Sequence, residues 1–184
     1  MNTVLKEERY TSDEFLAMTD LEGRYELIYG EIVDMSPAPT IRHQDLTGGI
    51  FSEIRDYIRK RKGKCRAFIA PTDVKLSDDC IVQPDIFVVC DESKLDEKKC
   101  NGAPDWVIEI LSPSTSSRDF NEKLRMYLES GVREYWIVDP DNNKVFVHTF
   151  GNPNIMSIYS FSDKIPAAIY KDCEEPLTIC PDEV

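Results

Sequence analysis

Nowhere in its 184 residues does the chain hold an apolar run near the roughly 18 residues that cross a bilayer. Lys6, Glu7, Glu8 and Arg9 stand where a signal peptide needs an apolar segment. These two absences argue against a membrane or secreted protein and lead to the expectation of a cytoplasmic one. Basic charge is scarce as well: 22 Lys and Arg face 34 Asp and Glu, a net charge of −12 that repels phosphate backbones at long range. An indiscriminate nucleic-acid coat is excluded, although a local basic patch is not. The six cysteines form no CxxC pair and only two histidines accompany them, so no zinc-ligand spacing exists. Six free thiols in a reducing compartment are the expectation. Internal repeats, low-complexity tracts and linkers are also missing, and 184 residues with 41% hydrophobic content suit one compact domain.

The patterning present alternates between strand and helix. A short helix is expected over 11–18 with Thr11 or Ser12 as its cap, followed by a hairpin of strands 25–28 and 31–35 about Tyr29-Gly30. Ser36-Pro37-Ala38-Pro39 stops that hairpin. A helical period then runs over 41–62, with Leu46, Ile50, Ile54, Tyr57 and Ile58 on one stripe and His43 facing the same way. Gly48-Gly49 weakens this helix by about 1 kcal/mol each, which predicts close packing there. Strands are expected at 65–70, 72–76, 84–90 and 105–111, and a helix over 119–130 ends at Gly131. Further strands follow at 134–138, 144–150 and 155–161, the first two turned by Asn142-Asn143. This order gives a mixed sheet flanked by helices, of the α/β or mixed α+β class.

Alternation in the strand around Glu109 puts Trp106, Ile108 and Ile110 on one face and Val107, Glu109 and Leu111 on the other. A carboxylate in such apolar surroundings needs a partner, a proton or a metal. A salt bridge to a neighbouring strand or a wet edge is the bland alternative. Asp85 follows Pro84, which belongs at a strand's start because it has no donor, so its side chain can face a cleft. A simple turn or cap reads equally well at a Pro-Asp step. If the two runs pair, the carboxylates converge as hard oxygen ligands for Mg²⁺. Lys123 lies at the margin of the stripe Phe120, Leu124, Tyr127 and Leu128, from where its ammonium can reach the cleft; a solvated lysine near Asp119 and Glu122 is the alternative.

Together, Tyr25-Glu-Leu-Ile-Tyr-Gly-Glu-Ile-Val-Asp-Met-Ser-Pro37, His43, Gln83-Pro-Asp85, Val107-Ile-Glu-Ile-Leu-Ser-Pro-Ser-Thr115, Asp119-x-x-x-Lys123 and Gly131-Val-Arg-Glu-Tyr-Trp-Ile-Val-Asp-Pro140 resemble the Uma-two family of restriction-endonuclease-like proteins. The resemblance runs from about residue 10 to 150. It implies the PD-(D/E)XK nuclease superfamily, with a central mixed β-sheet between helices and, here, extra N-terminal antiparallel strands. One restriction-endonuclease-like domain over 1–184 is implied, its C-terminal strands in 151–184. Also implied is DNA phosphodiester cleavage with Mg²⁺ or Mn²⁺, in which Asp85, Glu109 and the backbone carbonyl of Ile110 hold the metal. The superfamily usually places lysine two residues after its acid. Leu111 occupies that position, and this branch is understood to supply the lysine from the following helix, at Lys123.

Glu26, Glu31 and His43 are auxiliary candidates; each also reads as an ordinary strand charge or, for His43, a core histidine bonded to a carbonyl. Ser112, Ser114 and Thr115 suit a cap or loop role, with no base at nucleophile spacing. Trp106 and Trp136 read as core. Arg59, Lys60, Arg61, Lys62, Lys64 and Arg66 form a basic run without an acid, suited to DNA phosphates or to a helix C-terminus. Three functions compete: a metal-dependent endonuclease, a non-catalytic DNA- or protein-binding module on a nuclease-derived fold, and a two-carboxylate glycosidase. A homodimer is compatible with each.

Overall fold

The computed structural model describes residues 9–19, 21–35, 38–112, 118–151 and 153–184. Ser36, Pro37, Ser114 and Thr115, assigned above to a turn and a cap, lie outside them. Helix α1 (Ser12–Ala17) opens on a reciprocal cap, in which the Thr11 hydroxyl accepts from the Glu14 N–H at 3.3 Å and the Thr11 N–H donates to Glu14 Oε2 at 2.8 Å. Strands β1 (Tyr25–Ile28) and β2 (Glu31–Asp34) then pair antiparallel about Tyr29 and Gly30, whose φ values of 50° and 84° make the tight turn that fits strand twist.

Helix α2 (Ile41–Lys60) is capped by Thr40 and buries His43, Leu46, Thr47, Ile50 and Ile54. The close packing expected of its glycines occurs at Gly49, where an added Cβ would stand 2.8 Å from the backbone of Val184; at Gly48 nothing lies within 4 Å. Strands β3 (Arg66–Ile69), β4 (Asp73–Ser77), β5 (Cys80–Val82), β6 (Ile86–Val89), β7 (Lys99–Asn101) and β8 (Trp106–Ile110) follow. A wide π-helical turn, Asp119–Lys123, runs into α3 (Leu124–Ser130), which stops at left-handed Gly131. The chain continues through β9 (Glu134–Asp139), β10 (Lys144–Thr149), β11 (Ile155–Ser160), β12 (Ile165–Pro166) and β13 (Thr178–Ile179).

Two large sheets organise most of these strands, and β12 pairs antiparallel with β13 as a separate ribbon. The larger has the order β11-β10-β9-β8-β6-β3 and is mixed, since β8 and β9 run parallel while β6 runs antiparallel to β8. The other has the order β2-β1-β5-β4-β7. Alternation along the central strands sends Ile86, Val88, Trp106, Ile108, Ile110 and Trp136 into one core with α2. Phe87, Val89, Val107, Tyr135 and Ile137 go into a second core with α3 and the five-stranded sheet. Trp106 and Trp136 are both buried, ring against ring at 4.8 Å, as a core reading requires.

The expectation of six free thiols is overturned. Cys65 and Cys90 are joined by a disulfide, while Cys80, Cys100, Cys173 and Cys180 are free. The cause is register: Arg66 pairs with Val89 across β3 and β6, so the residues just outside that pair face each other across the same ladder. A sequence separation of 25 hides this proximity from a spacing argument. The inference of a reducing compartment loses that support. Among the described residues, no helix is long and apolar enough to cross a membrane.

Candidate active site

The site forms where β6 begins and β8 ends, in the interval between the two cores. Ile86 pairs with Ile108, so Asp85, one residue before β6, falls opposite Glu109 on β8. The Asp85 N–H approaches Glu109 Oε2 at 3.4 Å, and the Ile110 N–H donates to Asp85 Oδ2 at 2.8 Å. The two strands thereby hold both acids at one end of the sheet, as pairing of the two runs requires. Both line a small cleft, of about 50 Å³, with Arg24, His43, Ile110, Asp119 and Lys123.

His43 arrives from the other layer. The N-terminal turn of α2 passes the end of the strands and brings its Nε2 to 3.1 Å from Asp85 Oδ2, while the Thr47 hydroxyl donates to the His43 carbonyl at 2.7 Å. Burial pulls the imidazole toward its neutral form, but the hydrogen bond and charge of Asp85 and a bond to the Ile110 backbone outweigh it, and its pKa rises. His43 is thus a partner of Asp85 and, through the Ile110 backbone, also keeps the carbonyl bond of the core-histidine alternative.

Lys123 does not stay at a margin. It is 2% exposed, with Nζ 2.9 Å from Glu109 Oε1, 3.0 Å from Glu26 Oε1 and 3.9 Å from Asp119 Oδ1. The π turn is the reason, because its smaller angular step per residue, below the 100° of an α-helix, turns Asp119 and Lys123 to the buried side together. Tyr127 also donates to Glu109 Oε1, at 2.8 Å. Glu26 is fully buried and accepts the Gln83 N–H at 2.9 Å, so Gln83-Pro-Asp85 links β1 to the site. Three carboxylates about one ammonium leave a surplus of negative charge. Burial first, then Asp85, Asp119 and Glu26, push the Glu109 carboxyl up to about 8 against the opposing pull of Lys123. Burial alone would lower the lysine's pKa; Glu109, Glu26 and Asp119 reverse that and hold it charged.

Other expected members fall elsewhere. Glu31 is exposed on edge strand β2, its nearest cation Arg9 at 3.9 Å, so it does not join the cleft. The physical reason is strand position: Glu31 pairs with Ile28 and so shares the face of Glu26, but it stands on the edge strand beside the hairpin turn, whereas Glu26 lies on β1 between β2 and β5. The basic run sits at the far end of α2, with Arg61 roughly 27 Å along the helix from His43 at 1.5 Å per residue. Several of its charges are already paired: Arg61 with Glu175, Arg59 with Asp56, and Arg66 with Glu92 at 3.7 Å. Sequence reasoning missed Arg24 and the role of Tyr127. Arg24 donates to Gln83 Oε1 at 3.3 Å on the cleft wall, and nothing in its sequence neighbourhood marks it. Tyr127 had a signal, its spacing of four from Lys123, but read as apolar stripe.

The acids present fit a hard divalent cation. Two opposed carboxylates beside room for a few waters are what Mg²⁺ requires, since it keeps several waters and takes one or two carboxylates. Among the described residues, no three His, Cys, Asp or Glu side chains form a ready-made metal cage.

Residues 12–166 match the model of a family, Uma2, described as "putative restriction endonuclease". A solved structure described as a putative nuclease belonging to DUF820, from Anabaena variabilis ATCC 29413, superposes with a TM-score of 0.73 at 27% identity. The superposition covers 91% of this chain and 94% of that one. No curated protein matches the sequence.

Proposed function

Because the chain belongs to the Uma2 family and has the restriction-endonuclease-like fold, we propose that it is a Mg²⁺- or Mn²⁺-dependent endonuclease that hydrolyses phosphodiester bonds in DNA. The observation that carries this reading is Lys123, drawn inward by the π turn to 2.9 Å from Glu109, on the wall of the cleft that Asp85 shares. A buried lysine beside paired carboxylates has a direct use in phosphoryl chemistry, where developing negative charge needs a preorganised cation.

In this reading Asp85, Glu109 and the Ile110 carbonyl hold the metal, which when bound polarises the phosphate and makes its water a stronger nucleophile. His43 fixes the orientation of Asp85 through the 3.1 Å contact. Lys123 orients the attacking water and stabilises charge at phosphorus. Glu26, on the far side of the ammonium, positions it. Arg24 supplies the positive charge at the cleft that docks the scissile phosphate, a task the distant basic run cannot perform. Arg59, Lys60, Arg61, Lys62, Lys64 and Arg66 would instead meet phosphates of the same duplex roughly eight base pairs away, at about 3.4 Å per pair.

The test is a plasmid and oligonucleotide digest with Mg²⁺ or Mn²⁺ and an EDTA control. Metal-dependent cleavage by the wild type, lost in Glu109→Gln, is expected. No cleavage over a broad substrate panel would favour the non-catalytic binding module, to which Leu111 in the superfamily's usual lysine position also points.

A further inference from the structure

The four edges of the two large sheets are not alike. An edge strand offers unpaired N–H and C=O groups to any other strand, and natural edges are commonly guarded by charge. β2 carries Glu31 and Asp34, β7 carries Lys99 and β3 carries Arg66. β11 carries none. From 149 to 162 there is no Asp, Glu, Lys or Arg, in a chain that is 30% charged. On this unguarded edge Ile155, Met156 and Ile158 are each 55% exposed. Burying apolar surface and closing the open ladder both favour a strand partner here.

We propose that β11 pairs antiparallel with β11 of a second copy of the chain, about a two-fold axis at Ser157, so that the two six-stranded sheets become continuous. The register follows from the backbone. Phe161 N–H donates to Asn143 at 3.2 Å, and Tyr159 pairs with Val145 and Ser157 with Val147. By antiparallel alternation the peptide groups of Ile155, Ser157 and Tyr159 point to β10, and those of Met156 and Ile158 point outward. Ser160 belongs to the outward set, and its N–H is taken by Asp163 at 2.7 Å, which ends the available ladder. An axis at Ser157 sets Met156 against Ile158 of the partner subunit, and each pair exchanges its two outward hydrogen bonds. Side chains match too, since Met156 meets isoleucine and Ile155 meets tyrosine across the axis.

Charge selects a second copy as the occupant. Two chains of net charge −12 repel each other over most of their surface, and this uncharged strip lets them meet without opposing like charges. A basic partner would be drawn to the acidic surface instead. A strand complementary to itself also gives the closed, isologous contact typical of dimers. The inference is independent of the nuclease reading.

Sedimentation velocity or light scattering of the full chain, from low to high micromolar concentration, tests it. The wild type should dimerise. The double variant Met156→Lys/Ile158→Lys faces like charges across the axis and should raise the dimer dissociation constant roughly tenfold or more. Met156→Lys/Ile158→Glu faces opposite charges in the same register and should restore the dimer. Both positions are half exposed, so a far-UV circular dichroism melt should show all three proteins equally folded. A monomeric wild type at every concentration overturns the proposal, as does a Lys/Lys variant that dimerises like the wild type. A Lys/Glu variant as monomeric as the Lys/Lys one overturns the register.

Discussion

Lys123 sits among more negative charge than it can neutralise, and its neighbours respond accordingly. Removing one partner of a buried ion pair leaves the others unpaired, so Lys123→Met should cost about 3–5 kcal/mol in urea denaturation near neutral pH. Tyr127→Phe removes one hydrogen bond to the Glu109 carboxyl, which holds its proton near neutral pH, and should cost about 0.5–1.5 kcal/mol. Glu109 adds a pH dependence of defined sign. Its folded value of about 8 lies above the 4.5 of an ordinary glutamate, so the native state keeps a proton that the unfolded chain releases. That contribution is whole below about pH 4.5 and is lost as pH rises through about 8. Without added metal, the urea midpoint of the wild type should therefore fall more steeply between about pH 5 and 8 than that of Glu109→Gln. Parallel profiles would contradict this account of the charge surplus.

Helix α2 ties the two ends of the molecule together, and its paired glycines give a test with opposite signs. Gly48→Ala meets open space and should stabilise by about 1 kcal/mol through helix propensity. Gly49→Ala pushes a methyl to 2.8 Å from the Val184 backbone and should destabilise by about 1–3 kcal/mol. Thermal melts of the two variants, shifted in opposite directions, would bear this out. Close packing at Gly-Gly was legible in the sequence, but which glycine and against what was not, because Val184 is 135 positions away. The same division runs through the elements. Strong periods exposed α2, β8, β9 and β10, and Glu109 stood out because it interrupts an apolar strand. β5 and β7, three residues each, are too short to show a period. The inward turn of Lys123 depends on a π-helical step that a 100° pattern cannot represent, and Arg24 enters the cleft only through sheet pairing. Asp85 was legible through Pro84, whereas Glu31, alike to Glu26 in its alternating strand, turned out to face solvent.

On the scale of the whole molecule, the acidic surface, the cleft and the basic run are separate features. The cleft and the run lie at opposite ends of α2, so replacing Lys60, Arg61 and Lys62 by alanine should weaken DNA binding without touching chemistry. Anisotropy titrations against salt should show a slope reduced by about one per lost phosphate contact, with the cleavage rate at saturating DNA unchanged. An unchanged slope would make the run a solvated helix end. The central claim is that the opposed acids Asp85 and Glu109 hold the cation that cuts DNA. Its most direct test is supercoiled-plasmid nicking by the wild type and Asp85→Asn at equal concentration in Mn²⁺, with EDTA controls and matched unfolding midpoints. The account predicts metal-dependent nicking by the wild type and a loss on the order of 10² or more in Asp85→Asn. An Asp85→Asn protein that nicks as fast as the wild type would contradict it.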